Sequence, residues 1–386
     1  MQSEIGTAVA PATEAKKLEY LDLKAQYATI REEVNSALAR VMESQHFILG
    51  AEVEAFEKEV GSYVGARFSI SCASGSDALI LALLAAGIGP GDEVITSPFT
   101  FIATGGSIAR TGATPVFVDI DAQTFNIDVN AVRAAVTSRT RAIMPVHLFG
   151  LAADLNPIVA LAREKSLLVV EDAAQAIGSQ YEGRNVGTVG DFGCFSFFPS
   201  KNLGGAGDGG LVTTEDEALA GRLRMLRVHG SKKKYHHDIL GMNSRLDALQ
   251  AAILRVKLRH LEGWTQQREA RAERYREMFH RAGITGKVHL PAAPPAGSRH
   301  VYNQFTIRCS ERDALREHLR QRGIPTEIYY PLPLHLQPAF SYLGYKPGQL
   351  PVAEAASQEA LSLPAYPELQ ESDQERIVGE IAGFYR

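Results

Sequence analysis

The sequence predicts an α/β protein with a mostly parallel central sheet, and three observations predict it. Short apolar runs alternate with helix-patterned stretches over the first two-thirds of the chain: FSISC (68–72), DEVITS (92–97), PVFVDI (115–120), RAIMPV (141–146) and SLLVVED (166–172). Strands that alternate with helices pair in parallel, with helices covering both faces of the sheet. Several of these runs end in polar or glycine-rich sequence, and ligands bind such sheets outside the carboxyl ends of their strands.

The elements follow in order. Residues 26–43 carry apolar side chains at helical spacing, and residues 51–64 predict a second helix with Phe56 and Val60 on one face. After the five runs, GCFSFF (193–198) and GGLVTT (209–214) read as strands flanking a glycine-rich segment. Residues 245–280 are rich in Ala, Leu, Arg and Glu and predict one long helix or two joined ones. A connector between domains and a dimer face are both open readings of it. PAAPPAGSRHVY (291–302) marks a boundary, NQFTIRC (303–309) reads as a strand, and ERDALREHLRQRG (311–323) as a helix closed by Gly323.

Composition narrows the function. With 386 residues, 45% of them hydrophobic, the chain has material for a large core. A formal net charge of −4 argues against a nucleic-acid partner. Cys72, Cys194 and Cys309 do not form a disulfide framework, which points to a reducing cytoplasm. The opening MQSEIGTAVAPATEAKK has no long apolar segment behind a basic start and reads as a disordered lead-in. No charge-free apolar stretch of about 18 residues predicts a membrane span.

Five strand ends carry the chemistry. Ser74-Gly75-Ser76-Asp77 opens a helix, where backbone N–H groups and the helix dipole face an anion; an ordinary capped helix start has the same sequence. Phe101, in PFTF, is placed to stack on a flat ring or to fill core. His147 reads as a packed residue behind a site. Asp172 ends a run so apolar that its carboxylate needs a positive partner, either a protonated pyridine nitrogen or a structural cation. Lys201 sits between FSFF and GGAGDGG, where partial desolvation makes an amine more nucleophilic. A lysine that bonds an aldehyde, with an aspartate for the pyridinium nitrogen, is the arrangement of a pyridoxal 5′-phosphate site.

The landmarks ASGSDAL, PFTFIAT, VHLFG, VVEDAAQAIGS, FSFFPSKNLGGAGDGG, GMNSRLDALQ, YYPLPLHLQPAF and LPAYPEL are together specific, and with them the chain resembles the DegT–DnrJ–StrS family of sugar aminotransferases along nearly its whole length. The resemblance implies the pyridoxal-phosphate fold type I, similar to aspartate aminotransferase. It implies a lead-in over 1–18, a segment 19–50 that joins the small domain, a large cofactor-binding domain over 51–260 and a small domain over 261–386. Lys201 would form the Schiff base and shuttle the proton, Asp172 would hold the pyridine nitrogen, Gln175 would contact the ring or its phenolic oxygen, and Phe101 would stack on it. Gly75, Ser76 and Ser196 would hold the phosphate. Asn243 would reach that phosphate from the neighbouring subunit of a homodimer, and Arg245, Tyr329 and Tyr330 would lie on the substrate side.

The implied reaction moves an amino group from glutamate to the keto carbon of a nucleotide-linked sugar, for surface-polysaccharide, lipid A or other amino-sugar synthesis. KKKYHHDILGMNSRLD resembles members that act at C3 of UDP-linked 3-oxo sugars; dTDP-3-keto-6-deoxyhexose and C4-aminating members are the alternatives. Lys232–Lys234 read as a solvated loop or as an electropositive lip for a diphosphate. A dehydratase of the family would carry His in place of Lys201, a regulatory protein would not need the Lys–Asp pair, and a serine hydrolase would need a G-x-S-x-G elbow that is missing.

Overall fold

The computed structural model describes residues 18–386. The lead-in expected over 1–18 lies outside the described residues except for Leu18, which is buried. Seven strands form the central sheet: β1 (Phe68–Cys72), β2 (Glu93–Thr96), β3 (Thr114–Phe117), β4 (Thr140–Met144), β5 (Leu168–Asp172), β8 (Phe192–Ser196) and β9 (Gly210–Thr214), in the order β1-β9-β8-β5-β4-β2-β3. Between β5 and β8 lies a small hairpin, β6 (Gln180–Tyr181) and β7 (Arg184–Asn185). Only β9 runs against its neighbours in the central sheet. The short glycine-rich connection from β8 returns as an antiparallel strand, whereas the parallel neighbours need crossovers.

Helices cover both faces, so most sheet residues are buried on both sides. The helices are α1 (Leu23–Ser44), α2 (Ala51–Val64), α3 (Gly75–Ala85), α4 (Ile102–Arg110), α5 (Val129–Ala135), α6 (Leu155–Lys165) and α7 (Glu217–Leu226). Helix α3 is apolar almost all round, as a helix buried between sheet and other helices must be. A second hairpin, β10 (Ser231–Lys233) and β11 (His236–His237), follows α7.

The 245–280 pattern is one helix, α8 (Ala248–Ala282), capped by Gly283 in the left-handed conformation. At 35 residues it is roughly 50 Å long at 1.5 Å per residue. Its first half, Ala248 to Trp264, is buried with α1, α2 and Phe197; its second half, Ala272 to Phe279, is buried in a separate core. That second core is built by β12 (Phe305–Arg308), α9 (Arg312–Gln321), β13 (Ala360–Leu363) and α11 (Glu371–Phe384), with α10 (Pro351–Glu359) preceding β13.

Two expectations about the division of the chain differ from what is seen. Residues 19–50 do not join the small core as a unit. Ile30, Val34, Ala37 and Val41 of α1, one helical face, pack with α2 and the first half of α8, while the segment ahead of α1 reaches the small core through Leu18, Tyr20 and Leu21. Nor does all of 261–386 form one body. Leu334, Phe340, Leu350, Ala353 and Ala356 pack on Phe99, Phe117 and Val146 of the large sheet. The reason is local: Gly105 of α4 leaves the gap into which Phe340 inserts, since a Cβ there would lie 3.0 Å from that ring.

Candidate active site

A cavity of about 460 Å³ opens at the carboxyl ends of β1, β2, β5 and β8. Gly75, Ser76, Phe101, Asp172, Gln175, Ser196, Lys201, Tyr329 and Tyr330 all line it. Residues more than 250 positions apart meet here because parallel strands present all their carboxyl ends at one edge of the sheet.

One end of it is the start of α3. Ser74 caps the helix, its Oγ accepting the Asp77 N–H at 3.1 Å, and the first N–H groups of a helix have no partner within it. Gly75 is required on steric grounds, because a Cβ there would lie 2.6 Å from the Ser196 Cβ. Helix start and strand end are thereby pressed together, with the Ser76 and Ser196 side chains on the same cavity wall.

At the other end, Asp172 is 4% exposed. Its Oδ2 accepts from Thr104 Oγ1 at 2.7 Å and its Oδ1 from the Ala174 N–H at 3.2 Å. The Thr104 hydroxyl hydrogen goes to Asp172, so the 2.9 Å contact with Thr100 Oγ1 makes Thr100 the donor to Thr104. Burial raises the Asp172 pKa despite these donors. The carboxylate is thus oriented but short of the positive partner that would hold it ionised.

Lys201 follows a tight turn, its N–H donating to Phe198 O at 2.8 Å. Burial lowers its amine to about 8, with Asp172 opposing. Its Nζ has no hydrogen bond or ion pair among the described residues. The glycines after it are packed: a Cβ on Gly204 would lie 2.3 Å from the Pro199 carbonyl oxygen. A free amine, a buried carboxylate and a helix start in one cavity fit an aldehyde, a pyridinium nitrogen and a phosphate, three of the functional groups of pyridoxal phosphate.

Gln175 is more occupied than the sequence suggests. Its Oε1 accepts from the Phe149 N–H at 2.7 Å and its Nε2 donates to Tyr330 Oη at 3.1 Å, leaving one N–H. Tyr330 lies near Phe101 and Phe99, with ring centres 6.4 and 6.1 Å apart, so it belongs to the aromatic wall. Phe101 is 56% exposed, an aromatic face presented to the cavity rather than to the core.

His147 is buried behind β5. Its Nδ1 accepts the Ala153 N–H at 3.1 Å, so Nε2 carries the hydrogen and donates to Glu171 Oε2 at 2.9 Å. Burial would raise Glu171, but His147 and the N–H groups of Gly190 and Gly187 outweigh it and hold its pKa low. This pair braces the strand and forms no serine–histidine couple.

Asn243 and Arg245 do not line the cavity of their own chain. Asn243 is exposed, in a bridge with Val228, while Ser244 between them accepts the Ala73 N–H and donates to Asp77 Oδ2 at 2.7 Å. Thr100, Thr104, Asp208 and Gln304 line the cavity without having been predicted. Thr104 lies in the first turn of α4 and Thr100 just ahead of its cap residue, Phe101, so helical spacing alone does not pair them.

The DegT/DnrJ/EryC1/StrS aminotransferase family matches residues 28–382. The chain is 54% identical over 366 residues to the pleiotropic regulatory protein of Geobacillus stearothermophilus, covering 95% of this chain and 98% of that one. It is 48% identical over 365 residues to the UDP-N-acetyl-3-dehydro-α-D-glucosamine 3-aminotransferase of Acidithiobacillus ferrooxidans, covering 95% and 97%. Among solved structures, S. venezuelae DesV in complex with a ketimine intermediate matches with a TM-score of 0.93 and 44% identity, over 96% of this chain and 99% of that one. NtdA of Bacillus subtilis, with its cofactor PMP bound, matches with a TM-score of 0.88 and 32% identity, over 97% and 86%. A match that runs from α1 into α11, in a fold whose solved relatives carry the cofactor this cavity fits, means that the chain belongs to the DegT/DnrJ/EryC1/StrS aminotransferase family and is a pyridoxal-phosphate-dependent aminotransferase.

Proposed function

We propose that this enzyme moves the amino group of glutamate to the C3 keto carbon of a nucleotide-linked sugar, with a UDP-linked 3-oxo hexosamine as the preferred acceptor. The observation that carries the reaction is the meeting, in one cavity, of an unpartnered Lys201 amine and a buried Asp172 carboxylate. The 3-aminotransferase relative supports the position on the sugar.

Bound pyridoxal phosphate supplies an aldehyde and an electron-accepting ring. Gly75, Ser76 and Ser196 would hold its phosphate, and Phe101 would lie against its ring. Asp172, oriented by Thr104 and Ala174, would hold a proton on the ring nitrogen. Its own raised pKa falls when that cation arrives, since an opposite charge favours both ionised forms. The remaining Gln175 N–H is available to the phenolic oxygen.

Lys201 Nζ would serve as the base that takes up and returns the proton at the substrate carbon bearing nitrogen in each half-reaction. With its pKa near 8, a useful fraction of the amine is unprotonated at neutral pH, as a general base requires. Tyr329 and Tyr330 shape the substrate side.

Asn243 and Arg245 act across a homodimer, Asn243 on the phosphate of the neighbouring subunit and Arg245 on the nucleotide diphosphate. Their absence from their own chain's cavity supports this. The setting proposed is the cytoplasm, with the product feeding surface-polysaccharide, lipid A or other amino-sugar synthesis. Among the described residues no helix is long and apolar enough to cross a membrane.

The test is to supply glutamate with UDP- and dTDP-linked 3-oxo and 4-oxo sugars and to locate the new amine by NMR. An amine at C3 of the UDP-linked hexosamine is expected. An amine at C4, or strict preference for a dTDP sugar, refutes the assignment.

A further inference from the structure

A second cavity, of about 240 Å³, adjoins the first: Ser200, Gln304 and Tyr329 line both. Its wall includes Arg268 of α8, 4% exposed. The only hydrogen bonds of Arg268 among the described residues are from Nη1, to Tyr302 O at 3.2 Å and Ala365 O at 2.5 Å. Those two carbonyls fix the guanidinium in place and leave Nε and Nη2 without acceptors. No carboxylate lies within ion-pair distance of Arg268 among the described residues. The nearest influences are electrostatic, from Glu368 and Tyr20, and they do not overcome burial, which lowers the group to about 10.

A buried cation without an ion-pair partner is costly unless an anion completes it. Other arginines of this protein show the usual solution: Arg255 pairs with Glu52 and Glu59, and Arg299 with Glu262 and Glu269. Arg268 instead faces a cavity that leads to Lys201. The other polar groups there are compatible with a carboxylate. Tyr20 and Tyr329 bring hydroxyls. Buried Asn303 has an Oδ1 without a partner, while its Nδ2 donates to Gln304 Oε1 at 2.6 Å. That oxygen is sealed from the cavity, so it neither helps nor opposes an anion there. Glu19 also lines the cavity, but it is exposed, where solvent screens it.

We infer that the Arg268 cavity is the subsite for a carboxylate of the amino-acid donor, bound by the free edge of the guanidinium. A planar fork of N–H donors matches a carboxylate in geometry as well as charge. The inference rests on the proposed use of glutamate and says which residue selects it. A uronic acid on the sugar would bring the same chemistry, so the two half-reactions must be read separately.

The experiment uses the cofactor-loaded enzyme and follows the cofactor's visible absorbance in each half-reaction. Wild type must first respond to glutamate; if it does not, the donor assignment itself fails. Given that response, Arg268→Gln should raise the glutamate concentration giving half-maximal rate by about tenfold or more, the loss expected for a charged hydrogen-bond pair. The half-reaction of the aminated cofactor with a 3-oxo sugar lacking a carboxylate should change by less than about threefold, on the same scale. Arg268→Lys, which keeps the charge but not the fork, should fall between. Because Arg268 also ties down Tyr302 and Ala365, Ala365→Val is the companion: it narrows the cavity, leaves the arginine in place and should weaken glutamate alone. Equal losses in both half-reactions for both variants, or unchanged glutamate dependence, overturn the subsite. Loss confined to an acceptor bearing a C6 carboxylate overturns the donor assignment and gives the cavity to the sugar.

Discussion

Asp172 and Tyr235 stand at opposite ends of a scale. The carboxylate is 4% exposed and held by Thr104 and Ala174, whereas the tyrosine at the tip of the β10–β11 hairpin is 83% exposed, with Leu240 beyond it at 96%. The cavity closes on itself because strand ends of one sheet converge there. The 231–245 segment, with Lys232–Lys234, Asn243 and Arg245, leaves large apolar groups in solvent and its polar groups outside its own cavity. Exposed apolar surface beside functional polar residues marks an interaction site. The difference supports the proposal that one chain holds the reacting groups while the 231–245 segment serves a partner subunit.

That comparison is broken most directly at Lys201. Lys201→Ala should reduce transamination to background, and borohydride reduction of the loaded protein followed by peptide mapping should label Lys201 alone. A label on another lysine would move the centre of the pocket. Asp172→Asn should retain cofactor yet slow both half-reactions by about a hundredfold or more, because the ring nitrogen loses its charge partner. Near-normal turnover would show that the wrong carboxylate was placed there. Thr104→Val removes a 2.7 Å hydrogen bond to that carboxylate and should slow both half-reactions about tenfold, with little change in substrate affinity. A change confined to substrate affinity would detach Thr104 from Asp172.

The outer region is probed by Asn243→Ala, which should weaken cofactor binding several-fold. Mixed with Lys201→Ala subunits that exchange, it should recover activity, because both lesions then fall in one site and leave the other whole. If the subunits exchange and nothing returns, Asn243 acts within its own chain.

The smallest effect separates the regions by pH. Burial depresses Lys201 to about 8, so the free-amine fraction shrinks progressively below that pH and approaches completeness above it. The rate at which cofactor-free protein captures pyridoxal phosphate should therefore rise through about pH 8. A midpoint near that of an ordinary lysine, about 10.4, would mean that Lys201 is solvated.

Much of this was legible from local pattern. Lys201, Asp172 and the Ser74–Ser76 turn stood out because each breaks an apolar run where a parallel sheet presents its ligands. Thr104 gave little signal, because a hydroxyl in a helix start has many ordinary uses. Arg268 gave no signal, lying in WTQQREARAERY among other arginines on a helix whose exposed positions are charged.

By itself, the sequence determined the strands, the helices and the order of the polar strand ends, because periodicity and turn chemistry act between near neighbours in the chain. Tertiary structure alone decided the rest. It split α1 from the small core, seated Phe340 against Gly105 on the large sheet, spent most of the hydrogen bonds of Gln175 on Phe149 and Tyr330, and left Arg268 buried without an ion pair. Each of these depends on which groups distant in the chain arrive in the same few ångströms, and burial and pairing are properties of that meeting rather than of any residue's neighbours in sequence.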